Sequence, residues 1–183
     1  LSNGTWGGAT VDGGFIIAST GGGTRTITLT ELANPTTTYS ASGGTALLTI
    51  SATSGTVDFG SVDIRGYNNK DNMYCLRITG AGVTVVTTGA VRGGANEWSN
   101  KTVDIAATCT FTCGPVYGPS AGSSAGCIVV TTGSPTVTVN GNVEGSGAGP
   151  TLSSSSPDMY LPVFQINGSV IGAGHYAVFS EWR

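Results

Sequence analysis

Ten Asp and Glu, one His and four Cys are the side chains through which this 183-residue chain could move protons, attack a substrate or hold a metal. Cutting a glycosidic bond takes two carboxyl groups roughly 5 to 9.5 Å apart. Asp63, Asp71, Glu97, Asp104 and Glu144 therefore matter for catalysis only if the fold gathers two of them. His175 is the single histidine, and no Ser or Cys nucleophile accompanies it in a recognisable motif, which argues against a catalytic triad. "CTFTC", with Cys109 and Cys113, has the wrong spacing for a zinc knuckle, so no metal or other cofactor is expected. Aromatic rings flanked by Asn and Asp offer a different chemistry. They stack on sugar rings or anchor a protein neighbour, and Tyr67, Tyr74, Trp98, Tyr117, Tyr160 and Tyr176 are the candidates.

Which of these side chains meet depends on the elements that carry them. The chain is 39% hydrophobic and only 9% charged, with 30 glycines. That composition suits one folded domain able to bury a continuous core. The net charge of -3, with Lys and Arg scattered singly, supplies no basic patch, so nucleic acid is not an expected partner. The longest apolar runs are "FII" and "CIVV", far short of the roughly 18 to 20 residues a membrane-spanning helix needs, and no membrane insertion is expected. The sequence opens on Leu1 without a leader and reads as a processed product or a fragment. Asn-x-Ser/Thr triplets at Asn3, Asn100 and Asn167 arise from composition alone in a chain this rich in Ser, Thr and Gly.

Period-2 alternation of Val, Ile and Thr recurs in "TITLT", "LLTIS", "VTVVT", "TVDIA" and "TVTVN", each closed by Gly, Pro, Asn or Ser. No segment shows the i, i+3, i+4, i+7 spacing of a long helix, so the chain is all-β. The strands keep a clock. Ile64, Val91, Val116, Val143 and Val170, each two residues before a glycine, follow one another at intervals of 27, 25, 27 and 27. A second series, Ile50, Ile78, Ile105 and Val130, runs at 28, 27 and 25. Two independent series on one period indicate stacked repeats, here a parallel β-helix or solenoid with coils of about 27 residues. An antiparallel sandwich also has short strands with frequent turns, but it does not require this register.

Residues 46 to 183 carry the coils, whereas 1 to 45 read as strands off the clock, an irregular attachment or capping segment. Gly66, Gly93, Gly118, Gly145 and Gly172 stand two after the marker, where a positive φ is expected at a corner. The loops behind them share a phase and should emerge along one edge with their tyrosines and Trp98. Phe179 and Trp182 are expected to cap the last coil.

On this frame the chemistry thins out. Asp63 and Glu144 lie three coils apart, about 14 Å, and Asp104 stacks beside Arg77 as a surface ion pair of small worth. Only Asp71 and Glu97, on neighbouring loops, remain as a carboxylate pair, and the chain is not expected to be an enzyme. Cys109 and Cys113 are about 13 Å apart on an extended strand, and Cys75 and Cys127 are two coils apart, so all four thiols should be free. Counting residues back from Val116 puts Cys109, Phe111 and Cys113 on the outer face, a candidate intersubunit interface.

The coils from Gly55 to Arg183, with "SVDIRG", "GAVRGG", "GPVYG", "GNVEG" and "GSVIG", resemble the right-handed parallel β-helix group of pectate lyases, phage tailspikes and fibres, and bacterial adhesins. The richness in Gly, Ser and Thr and the scarcity of charge are most similar to the virion proteins of that group. The resemblance implies a structural component of a tailed phage, a head decoration protein or a fibre or spike segment on the virion surface. It further implies other virion proteins as partners and a homotrimeric assembly. A carbohydrate-binding adhesin or glycan-active β-helix is the alternative, with a surface glycan as ligand.

Overall fold

The description rests on a computed structural model and covers residues 4–6, 9–10, 15–17, 24–29, 32–33, 46–61, 63–65, 74–93, 101–119, 126–145, 151–154, 161–172 and 178–180, with side chains from residue 48 to 172. The described residues form three parallel sheets of seven strands each. The first sheet contains Thr56–Asp58, Thr84–Val86, Thr110–Cys113, Thr136–Val139 and Val163–Ile166. The second holds the two-residue strands Ile64–Arg65, Val91–Arg92, Val116–Tyr117, Val143–Glu144 and Val170–Ile171. The third includes Ala46–Ile50, Tyr74–Ile78, Lys101–Ala106, Gly126–Thr132, Leu152–Ser154 and Val178–Ser180. The chain visits the sheets in turn, and each strand pairs with its equivalent one coil away. This is the parallel solenoid that the two residue series predict.

The register follows both series. Ile64, Val91, Val116, Val143 and Val170 are successive partners on the second sheet, and the first four are fully buried. Ile50, Ile78, Ile105 and Val130 do the same on the third. Strands before residue 46 join the same sheets in parallel but off the period. Ala9 pairs with Leu32, 23 residues on, and Leu32 with Ile64, 32 residues on.

The orientation of Cys109, Phe111 and Cys113 is opposite to the expected one. Phe111 pairs with Val85 and Val137, Cys113 with Val139, and all three side chains are buried in the core cluster. Parity explains the error. Val85 stands six residues before Val91 and Val137 six before Val143, but Phe111 stands only five before Val116. The 25-residue coil omits one residue at that corner, so counting back from its marker reverses inside and outside. These side chains are core, and no subunit interface can use them. Thr110 and Thr112 take the outer face instead, and Thr88, Asn140, Gln165 and Asn167 are exposed.

The glycines also divide differently. Positive φ values occur at Gly55, Gly82 and Gly133, before first-sheet strands, and at Gly60 and Gly141, between the first and second sheets, but not at Gly93, Gly118, Gly145 or Gly172, and Gly66 lies outside the described residues. Close approach dictates two of the marker glycines. A Cβ on Gly93 would lie 2.6 Å from Thr102 Oγ1, and one on Gly145 would lie 2.6 Å from Thr151 Oγ1.

Side chains complete the hydrogen bonding at the corners. Asp63 Oδ1 accepts from the Ala90 N–H at 2.8 Å, and Asn142 Oδ1 from the Ser169 N–H at 3.1 Å. Ala90 has no side-chain acceptor to offer the coil after it, and the residue there is Pro115, which has no N–H to satisfy.

The inward phase of Phe111 sets a test. Phe111→Ala should cost about 3–5 kcal/mol in urea unfolding, the range for a large aromatic removed from a packed core. Thr110→Ala, one residue away on the outer face, should stay within about 0.5 kcal/mol. Similar losses at both positions would contradict this orientation.

Candidate functional site

Two polar clusters occupy the outer faces. On the third sheet, Arg77 and Asp104 are register partners on adjacent strands, and Lys101 lies three residues before Asp104 on its own strand. Asp104 is 1% exposed, so it is no surface partner. Its Oδ2 meets Arg77 Nε at 3.1 Å and its Oδ1 meets Lys101 Nζ at 3.2 Å. Removing one partner of such a buried pair is costly because it strands a charge. Tyr74, paired in register with Lys101, lies beneath both cations, 5.4 Å from the Arg77 guanidinium and 5.1 Å from Lys101 Nζ.

On the second sheet, Arg92 is the register partner of Tyr117, and its guanidinium lies 4.1 Å from the ring centroid. Asp63 Oδ2 approaches Arg92 Nε at 3.5 Å, and both side chains are more than a third exposed. Two coils further on, Asn142 Nδ2 donates to Glu144 Oε1 at 3.1 Å. Tyr74 and Tyr117 thus each carry a cation on the ring face, which attracts it through the ring quadrupole. Asp63 and Glu144 stand three rungs apart in register, as the period requires.

Of the six candidate rings, only Tyr74 and Tyr117 fall in the described residues, and the structure places them on different sheets. Tyr67, Trp98, Tyr160 and Tyr176 lie outside the described residues, as do Asp71, Glu97, His175 and Trp182. The side chain of Phe179 also lies outside them, although its backbone pairs with Ser153. Among the described residues, no group of three or more His, Cys, Asp or Glu is placed to hold a metal ion.

A buried column at the edge of the third sheet was only half legible. Cys75 and Cys127 stand two coils apart as the period requires, Thr102 occupies the rung between them, and Thr151 extends the column by one. Their role is hydrogen bonding. Thr102 Oγ1 donates to Tyr117 O at 2.8 Å, Cys127 Sγ to Glu144 O at 3.2 Å, and Thr151 Oγ1 to Ile171 O at 3.3 Å. Each acceptor follows the marker of the next coil, so each short side chain ties the third sheet to a second-sheet strand. Cys75 Sγ donates to Ile64 O at 3.5 Å and also takes part in a backbone hydrogen bond with Arg92. The position needs a small donor, which both Cys and Thr supply.

All four described thiols are free and buried. Burial pushes Cys109 and Cys113 up to about 12, and burial with the negative charge of Glu144 brings Cys127 to about 12. Burial also raises Cys75, offset in part by its backbone hydrogen bond. A raised thiol pKa means the fold prefers the neutral form. That contribution to stability is complete below the unfolded thiol value near 8.5 and is lost as pH rises towards 12. The folded chain at pH 8 should therefore resist iodoacetamide at all four positions, with prompt alkylation in urea. Fast labelling of the folded chain would refute their burial. At the column itself, Thr102→Val should cost about 1–3 kcal/mol by leaving the Tyr117 carbonyl unpaired. Thr102→Cys should retain most of the stability.

Comparison with protein-family models, curated proteins and solved structures finds no match. The likeness to parallel β-helices therefore stands on coil period, strand register and the inward columns.

Proposed function

We propose that the chain is a structural component of a tailed-phage particle, a head decoration protein or a segment of fibre or spike. On this reading it sits on the virion surface and works by assembly with other virion proteins, as a homotrimer, rather than by catalysis. The observation that carries the reading is the last rung of the first two sheets. Val137, Val139 and Val143 are fully buried, but their partners one coil on, Phe164, Ile166 and Val170, are only partly so. Outward positions change character at the same rung. Thr136 gives way to Val163 and Glu144 to Ile171, and with Leu161 these are the exposed large hydrophobics among the described residues. Exposed apolar side chains beside unpaired strand edges favour a neighbour that covers them. The engagement of Asp104 and Asp63 by arginines one coil away, and of Glu144 by Asn142 of its own coil, supports a scaffold role for the charged groups.

Gold-labelled antibodies raised against the purified chain test the proposal on negatively stained particles and cells from the source. Label on capsids, tails or fibres is expected. Label confined to cell envelopes would overturn it in favour of an adhesin, whose surface glycan would be met by the tyrosines and Trp98.

A further inference from the structure

Two Asn-Gly steps lie one above the other at the corner between the first and second sheets. Asn140–Gly141 follows Thr136–Val139, and Asn167–Gly168 follows Val163–Ile166. Both asparagines are exposed, and Asn167 Nδ2 donates to Asn140 Oδ1 at 2.8 Å. Gln165 Nε2 reaches Asn167 Oδ1 only at 3.5 Å.

Packing dictates glycine at both steps. Gly141 has a φ of +147°, and a Cβ on Gly168 would lie 2.4 Å from Gly141 O. An unhindered backbone nitrogen therefore follows each asparagine. Earlier coils occupy that nitrogen. Gly89 N donates to Thr87 Oγ1 at 3.1 Å, and Gly114 N to Gly89 O at 3.1 Å. Among the described residues, the Gly141 and Gly168 N–H groups have no acceptor.

We propose that Asn140 is a site of spontaneous covalent modification, at which the stacked corner converts the asparagine into aspartate and isoaspartate with the Asn167 amide assisting. The Gly141 nitrogen loses its proton to hydroxide and attacks Asn140 Cγ, forming a C–N bond. Negative charge then develops on Asn140 Oδ1, where Asn167 Nδ2 already donates, the arrangement that stabilises a tetrahedral oxyanion. Water returns a proton to Nδ2, regenerating hydroxide, the Cγ–Nδ2 bond breaks, ammonia leaves and a succinimide remains. Water opens that ring at either carbonyl, so the net change is one water consumed and one ammonia released. Aspartate keeps the rung, because a carboxylate accepts from Asn167 more strongly than an amide does. Isoaspartate adds a methylene to the main chain between Val139 and Val143, both fully buried, and so loosens the corner that sets their register.

Peptide mapping by mass spectrometry of the folded chain, incubated over a series of pH values, tests this. Aspartate and isoaspartate should accumulate at position 140 faster than at 167, at a rate that rises with pH. Asn142, which Val143 follows, should persist. Asn167→Ala should slow conversion at Asn140 about fivefold, the worth of one hydrogen bond in water, and Asn167→Asp, which lacks the donor and sets a like charge beside the developing oxyanion, should slow it at least as much. Circular dichroism identifies which of these variants keeps the strand signature and is read. Equal rates at 140 and 167, or an Asn140 that persists in the folded chain while the urea-unfolded chain converts, would overturn the proposal. A folded Asn167 variant with unchanged conversion at Asn140 would overturn the assisting role.

Discussion

Parallel strands stacked about 4.8 Å apart must satisfy each other's backbone groups, and that requirement governs the rest of this structure. Because each strand pairs with its equivalent one coil away, a residue is constrained less by its sequence neighbours than by positions about 27 residues before and after. Columns result. Leu48, Leu76, Val103, Ile128 and Leu152 form one on the third sheet, and Ile64, Val91, Val116 and Val143 another on the second. A slip of one residue would turn a whole strand inside out. Differences in coil length must then be absorbed at corners, as between Phe111 and Val116.

Corners have the opposite problem, because strand pairing lapses there while the backbone stays close to the core. Short polar side chains take over. Asp63, Asn142, Thr108 and Ser134 accept from N–H groups one coil on, and Thr102, Cys127 and Thr151 donate to carbonyls of the next coil. A Ser, Thr or Asn side chain satisfies one backbone group without bringing a charge into a dry place. This accounts for a chain with so few charged residues and so many hydroxyls, and for thiols standing where threonines would serve.

Period and strand type were legible in the sequence because a column repeats its chemistry on every coil. Orientation was legible only where the corner kept its length. Val85 and Val137, six residues before their markers, point inward as that count requires, whereas Phe111 reversed because one residue was missing between it and its marker. The marker glycines were visible, but their reason was not, since the crowding at Gly93 comes from Thr102 and Pro119 rather than from its own dihedral. Asp104 looked like a surface partner of Arg77 because its register neighbour was evident. The second cation, Lys101, lay on the same strand and contributed to a burial that alternation alone does not reveal. For the candidate rings, Tyr117 and Arg92 stand in the same outward column, so their stacking was readable from the clock.

The outer faces differ in what it would cost to cover them. Arg77, Lys101 and Asp104 on the third sheet, and Arg92 with Asp63 on the second, form ionic groups whose remaining polar atoms face solvent or one another. A neighbour pressed against them would have to desolvate charge. The first sheet presents Thr56, Thr84, Thr110 and Thr136 in one column, each a partner of the next, with Thr112 and Thr138 beside the last two. Covering a hydroxyl costs far less than covering an ion, and the accompanying methyl group gains from burial. This column ends at Val163 on the rung where the core also becomes partly exposed. On the assembly reading proposed above, the threonine column of the first sheet, beyond Asp58 at the end of its strand Thr56–Asp58, and this end of the stack are therefore where a neighbour is met at least expense of desolvation. The charged columns of the other two sheets instead hold the coils to one another.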